Sequence, residues 1–139
     1  MTCWITSLTL RGCRLGDKGC AAVCAGVRGA SRLKRLDLTD NALGDHACEA
    51  VASMLSSFAI RRCEDTWETS LRGRKAQGVV ASGIRTVILT ANPGIGDLGA
   101  IELGRALEND NWVIECELRG CGLTELGYRA MVSSARGPP

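Results

Sequence analysis

The sequence predicts an α/β solenoid of four strand-loop-helix units, with a short parallel sheet on the concave side and helices outside. Three observations point there. The chain repeats itself at an interval of 28 residues: Ile5, Leu8, Leu10, Cys13, Leu15, Gly16, Asp17, Gly19, Val23 and Val27 return as Leu33, Leu36, Leu38, Asn41, Leu43, Gly44, Asp45, Ala47, Val51 and Leu55. Within a unit the pattern changes from period two (Leu8, Leu10) to helical spacings of three and four (Leu98 and Ile101; Leu103 and Leu107). Hydrophobic residues make up 45% of the chain but aromatics only 4%, so the core is built from Leu, Val, Ile, Ala and Cys, sizes suited to thin repeated layers.

The first unit spans 5–32 and the second 33–57. A third runs from Ile84 through Val87, Leu89, Asn92, Ile95, Gly96, Asp97, Gly99 and Leu103 to Leu107, within 84–112, with one extra residue between Asn92 and Ile95. The fourth, 113–136, carries Val113, Cys116, Leu118, Cys121, Leu123, Thr124, Glu125, Gly127, Met131 and Ala135. Their order, L-x-x-L-x-L-x-x-N/C-x-L, is the leucine-rich repeat pattern.

Alternation sends Leu8 and Leu10 inward and leaves Ser7, Thr9 and Arg11 facing out. The matching outward triplets are Arg35, Asp37 and Thr39; Thr86, Ile88 and Thr90; and Glu115, Glu117 and Arg119. This face grades from basic to acidic, which makes Arg11, Arg35, Asp37, Glu115, Glu117 and Arg119 candidates for orienting a protein partner. Asn or Cys in the ninth slot is placed to bond backbone groups of neighbouring turns. Asp17, Asp45 and Asp97 are each expected to cap the helix that follows them.

Between Leu55 and Ile84 lie roughly 23 residues that no repeat requires. In this insert, 58–83, Ile60, Cys63, Trp67 and Leu71 form an apolar stripe at spacings of three, four and four, which predicts a helix packed on the solenoid. Its second half, Arg74 to Ser82, reads as a mobile linker. The insert carries five basic and three acidic residues, an excess equal to the formal net charge of +2 of the whole chain. It is either a cover for a repeat edge or a docking element in which Trp67 anchors while Arg62 and Arg72 orient.

A charge of +2 makes no strong claim on nucleic acid or membrane, and no apolar run reaches the roughly 18 residues of a membrane span. The amino terminus lacks the pattern of a secretion signal, so an intracellular setting is expected. Eight cysteines form no C-x-x-C pair and accompany a single histidine, His46. Reduced, buried cysteine accounts for most of them through the repeat register, and Cys20 and Cys24 with His46 and Cys48 leave a metal site as the alternative.

Gly94, Gly96 and Gly99 spell G-x-G-x-x-G after an apolar strand, with Glu117 further on, as a dinucleotide site would. Gly96, Asp97 and Gly99 nevertheless occupy the slots of Gly16, Asp17 and Gly19, so the turn belongs to the repeat. No nucleophile-base constellation stands out. A non-catalytic scaffold with no cofactor and no small-molecule substrate is expected. A nucleotide-binding enzyme using Gly94 to Gly99 is one alternative, and nucleic-acid or acidic-tail binding through the basic insert is another.

The unit length and helix content resemble the ribonuclease-inhibitor type of leucine-rich repeat. The insert RRCEDTWETSLRGRK, followed by IRTVILTANPGIGDLGA and CELRGCGLTELG, resembles the leucine-rich repeat domain of the centrosomal protein of 78 kDa family. Arg61, Arg62, Glu64, Trp67, Ser70, Leu71 and Arg72 match that family's insert, and Gly96, Asp97, Leu98 and Gly99 match its turn; Gly73 to Gly83 departs from it. The resemblance implies a scaffold at the centrosome, centriole or basal body, linked to cilium assembly. It also implies contacts with centriolar proteins and a ubiquitin-ligase assembly, and a longer protein of which this chain is one domain. Open, uncapped edges at both ends imply self-association, with Cys3 and Trp4 at the first edge.

Overall fold

A computed structural model describes residues 5–28, 30, 32–71, 83–108 and 112–135. Four strands alternate with four helices: β1 (Ser7–Thr9), α1 (Gly16–Val27), β2 (Arg35–Asp37), α2 (Asp45–Leu71), β3 (Thr86–Ile88), α3 (Asp97–Glu108), β4 (Glu115–Glu117) and α4 (Glu125–Ala135). The strands form one parallel sheet in the order β1-β2-β3-β4. Its register places Leu8, Leu36, Val87 and Cys116 in one row, so the repeat frame read from the sequence is the frame of the sheet. The chain is an α/β leucine-rich repeat solenoid.

Between sheet and helices lies a layer of small and mid-sized side chains. Leu36, Leu38, Leu43, Val51, Leu89, Ile95 and Leu103 are inaccessible to solvent, and α1 adds Cys20 and Cys24. Asn41 and Asn92, in the ninth slot, are buried as well. Asn92 Oδ1 accepts from the N–H of Asn41 (2.8 Å) and of Leu43 (3.3 Å), and its Nδ2 donates to the carbonyls of Leu38, Leu89 and Thr90. Asn41 repeats this toward β1: its Oδ1 takes the Cys13 N–H at 2.8 Å, and its Nδ2 donates to the carbonyls of Leu10 and Thr39. Each amide satisfies backbone groups that leaving the strand would otherwise strand in the core.

The aspartates act differently from the expectation. The N-cap position of α1, Leu15, makes no side-chain capping bond, and Asp17 Oδ1 instead accepts the N–H of Gly44 in the next unit at 2.7 Å. Asp45 Oδ1 accepts from Gly96 (2.8 Å) and Gly99 (3.0 Å) at the start of α3. Asp97 takes the N–H of Thr124 and Gly127 and the Thr124 hydroxyl at the start of α4. Each carboxylate thus caps the helix of the unit after its own, because stacking brings that helix's free N–H groups to it.

After each strand the chain turns through a left-handed residue in the same slot: Gly12, Asp40, Ala91 and Gly120, with φ between 55° and 70°. At 27 residues α2 is more than twice the length of α1 or α3, at 12 each. The repeat helix and the first part of the insert are one continuous helix, since no proline or glycine interrupts Asp45 to Leu71. Among the described side chains, Phe58 is the last large one of α2 that is fully buried. The Arg61 guanidinium stacks on the Phe58 ring and donates to the Arg28 carbonyl at 2.8 Å.

The stripe beyond Phe58 corrects a second expectation. Ile60, Cys63, Trp67 and Leu71 are exposed, Trp67 by 66%, and do not pack on the solenoid. In α3, Ala100, Leu103 and Gly104 face inward while Leu98 faces solvent. Arg72, Cys3, Trp4 and the Arg74 to Ser82 linker lie outside the described residues.

Candidate functional site

The outward residues of the sheet form three rows across the concave face: Ser7, Arg35, Thr86 and Glu115; then Thr9, Asp37, Ile88 and Glu117; then Arg11, Thr39, Thr90 and Arg119. Asp37, expected to meet a partner, is fully buried. Arg11 Nε lies 2.8 Å and Arg35 Nη2 3.5 Å from its carboxylate, and the Thr39 N–H and hydroxyl donate to the other oxygen. Burial alone would raise the Asp37 pKa, but the bonds from Thr39 and Arg11 outweigh it and hold the group below the ordinary carboxylate value. Asp37 therefore positions the two arginines, and Arg11, with its side chain 62% exposed, is the group offered to solvent.

Ile88, also counted as outward, is buried in the middle of the face. At the far edge Glu115 is exposed, and Glu117 is half-buried with Arg119 4.0 Å away. The face is thus cationic at the β1–β2 side, apolar and hydroxylated in the middle, and anionic at β4.

The glycine loop has no anion cradle. The N–H groups of Gly96 and Gly99, which a phosphate would need, are taken by the Asp45 carboxylate, a negative group that would repel it. A side chain at Gly99 would lie 2.8 Å from Asp45 Oδ1 and 2.9 Å from Cys48 Sγ. One at Gly94 would meet the Leu43 carbonyl at 2.8 Å. These glycines permit close stacking of the units.

Among the described residues Cys20, Cys24 and Cys48 belong to the core and Cys13 and Cys121 to the ninth slot, while Cys63 is exposed. Cys20, Cys24 and Cys48 are buried and unbridged, and burial pushes the Cys48 thiol up to about 12. Cys121, in the ninth slot, donates its thiol to the Leu89 carbonyl. His46 lies exposed beside Glu49 at 3.5 Å, on the opposite face of α2 from Cys48. Among the described residues no cluster of His, Cys, Asp and Glu could hold a metal.

A cationic cluster went unnoticed in the sequence. Arg85 lies 4.4 Å, Arg62 5.2 Å and Lys34 5.4 Å from the centroid of the Trp112 ring, whose Nε1–H donates to the Gly83 carbonyl at 3.0 Å. Lys34 and Arg85 immediately precede β2 and β3, Trp112 lies just before β4, and Arg62 arrives from the extension of α2. The one signal in the sequence was the slot that Lys34 and Arg85 share before their strands, which alternation within the strands does not reveal. Arg62, expected to orient a partner beside Trp67, lies over the Trp112 ring.

Among the described residues no helix is long and apolar enough to cross a membrane. A leucine-rich repeat family model matches residues 3–24 and 31–52. The Drosophila melanogaster Cep78 homolog is 37% identical over 88% of this chain, and the human centrosomal protein of 78 kDa is 33% identical over 94%. The pig ribonuclease inhibitor is 30% identical over 88% of the chain. The chain spans 15% and 19% of the length of the fly and human relatives and 28% of the inhibitor. With repeat register, sheet and asparagine ladder in agreement, the chain is a leucine-rich repeat solenoid that is similar to the centrosomal proteins of 78 kDa.

Proposed function

We propose that this chain is a non-catalytic protein-interaction module acting at the centrosome, centriole or basal body. Its concave face binds a protein partner, and the observation that carries the reading is the ordered change along that face from Arg11 and Arg35 to Glu115 and Glu117. A partner of complementary polarity is held in one orientation, since reversal would place like charges together. The centrosomal setting is supported by the names of the relatives. Centriolar proteins and a ubiquitin-ligase assembly are the partners in this reading, and cilium assembly is the process served. Residues 1–139 form a single domain in it, with units at 5–32, 33–57, 84–112 and 113–136 and an insert at 58–83.

Affinity capture of centriolar proteins on the intact chain tests the reading. The Glu115→Lys and Glu117→Lys variants should lose capture about tenfold with an unchanged melting temperature. Capture that survives both substitutions but disappears in Trp67→Ala would move the site to α2. Saturable binding of a nucleotide would replace the scaffold reading altogether.

A further inference from the structure

We infer that Arg11, held in place by the buried Asp37, is the residue by which the concave face selects its partner: it forks an Asp or Glu side chain on an extended segment that carries a Lys or Arg about four positions along. Asp37 acts through Arg11 as a positioning residue. The inference rests on the reading of the concave face as the binding surface and names the group recognised at its cationic end.

A guanidinium has more than one bonding edge. Arg11 uses its Nε on Asp37 Oδ2 at 2.8 Å, and among the described residues its two Nη groups make no hydrogen bond. The Arg11 side chain is exposed while its anchor is fully buried. Arg35 Nη2 approaches the same oxygen at 3.5 Å, and Arg35 Nη1 lies 3.4 Å from Thr9 Oγ1. The other oxygen of Asp37 accepts from the N–H and hydroxyl of Thr39, so the anchor is itself fixed. An exposed arginine ordinarily samples many rotamers and loses that freedom on binding. This one is oriented beforehand, with its Nη1–Nη2 edge left for a second carboxylate.

Charge decides between a single carboxylate and a polyanion. Arg11, Arg35 and Asp37 together carry one positive charge in excess. Glu115 and Glu117 stand at the other end of the same face and repel a nucleic-acid strand laid across it. A segment with one acid and one base satisfies both ends. Asp37 and Glu117 lie in one row two strands apart, and Arg11 belongs to the strand beyond Asp37. The two charges of the segment are therefore separated by roughly 10–14 Å. At about 3.3 Å per residue this is four residues, and positions i and i+4 of an extended chain lie on one side.

The test is fluorescence anisotropy of a labelled peptide containing Glu-Ser-Val-Ser-Lys, titrated with the intact 139-residue protein. Saturable binding is expected, weakened about tenfold in Arg11→Ala at an unchanged melting temperature. Arg11→Lys keeps the charge but not the fork and should weaken binding at least about fivefold. Asp37→Asn, compared below its own melting transition, makes the face more positive. A partner held by charge alone would bind that variant more tightly, whereas loss of positioning weakens binding about fivefold. With Gln in place of Glu in the peptide, wild type and Arg11→Lys should bind alike. Wild-type affinity in Arg11→Lys overturns the inference, and so does tighter binding by Asp37→Asn or the absence of saturable binding. If Arg11→Lys binds the peptide as wild type does while Glu117→Lys still loses centriolar capture, the carboxylate fork falls and the concave-face reading stands. If Arg11→Lys weakens the peptide but capture ignores Glu115→Lys and Glu117→Lys, the fork stands and that reading falls.

Discussion

The two inner units and the two outer units share one repeat, yet they are held differently. In β2 and β3 the second and third residues are buried, whereas β1 and β4 have none buried. The inner units place asparagine in the ninth slot and the outer units cysteine. A strand with a neighbour on each side must satisfy every backbone group inside the protein, and a carboxamide can donate and accept at once. The Cys121 thiol makes a single bond of this kind, to the Leu89 carbonyl of the third unit. Burial in this molecule is supplied by neighbours, so a unit's stability depends on its place in the stack.

The strongest way to break the comparison is at the ninth slot. Asn92→Ala removes the acceptor of two backbone N–H groups and the donor to three carbonyls, leaving several unsatisfied in the core. It should cost about 3–4 kcal/mol in chemical denaturation. Cys121→Ala in the outer unit loses one thiol hydrogen bond and should cost only about 1 kcal/mol. Equal costs would mean that the asparagine ladder is not what distinguishes inner from outer units.

A smaller effect tests the joint between an inner and an outer unit. The hydroxyl and N–H of Thr124, with the N–H of Gly127, hold the Asp97 carboxyl below its ordinary pKa of 3.8. A depressed native pKa contributes stability that is present above the unfolded value and lost as pH falls through the native one. Melting temperature should therefore decline below about pH 4, and Asp97→Asn should flatten that acid limb. An unchanged acid limb in Asp97→Asn would place the acid sensitivity elsewhere.

The smallest expected effect sharpens the comparison of the turns. Outer units use Gly12 and Gly120 in the left-handed slot, while inner units use Asp40 and Ala91. Ala91 has a φ of 58°, strained for a residue with a Cβ, so Ala91→Gly should raise stability by about 0.5–1 kcal/mol. A loss would show that the Ala91 methyl group contributes more through packing than its backbone costs.

Much of this protein was legible from its residues alone. The strand rows, most core slots and the asparagine slot follow from the 28-residue recurrence together with periods of two and 3.6, which are local properties of the backbone. The direction in which Asp45 reaches was not local, because its partners at Gly96 and Gly99 lie in another unit and come within range only through stacking. The pairing of buried Asp37 with Arg11 likewise joins residues of neighbouring units. The stripe Ile60, Cys63, Trp67 and Leu71 was correctly read as helical, but periodicity gives a helix its apolar face without saying what covers it, and among the described residues nothing does. The gathering of Lys34, Arg62 and Arg85 around Trp112 joins positions far apart in the chain. Only the stacking of units, together with the unbroken run of α2, decided that they meet.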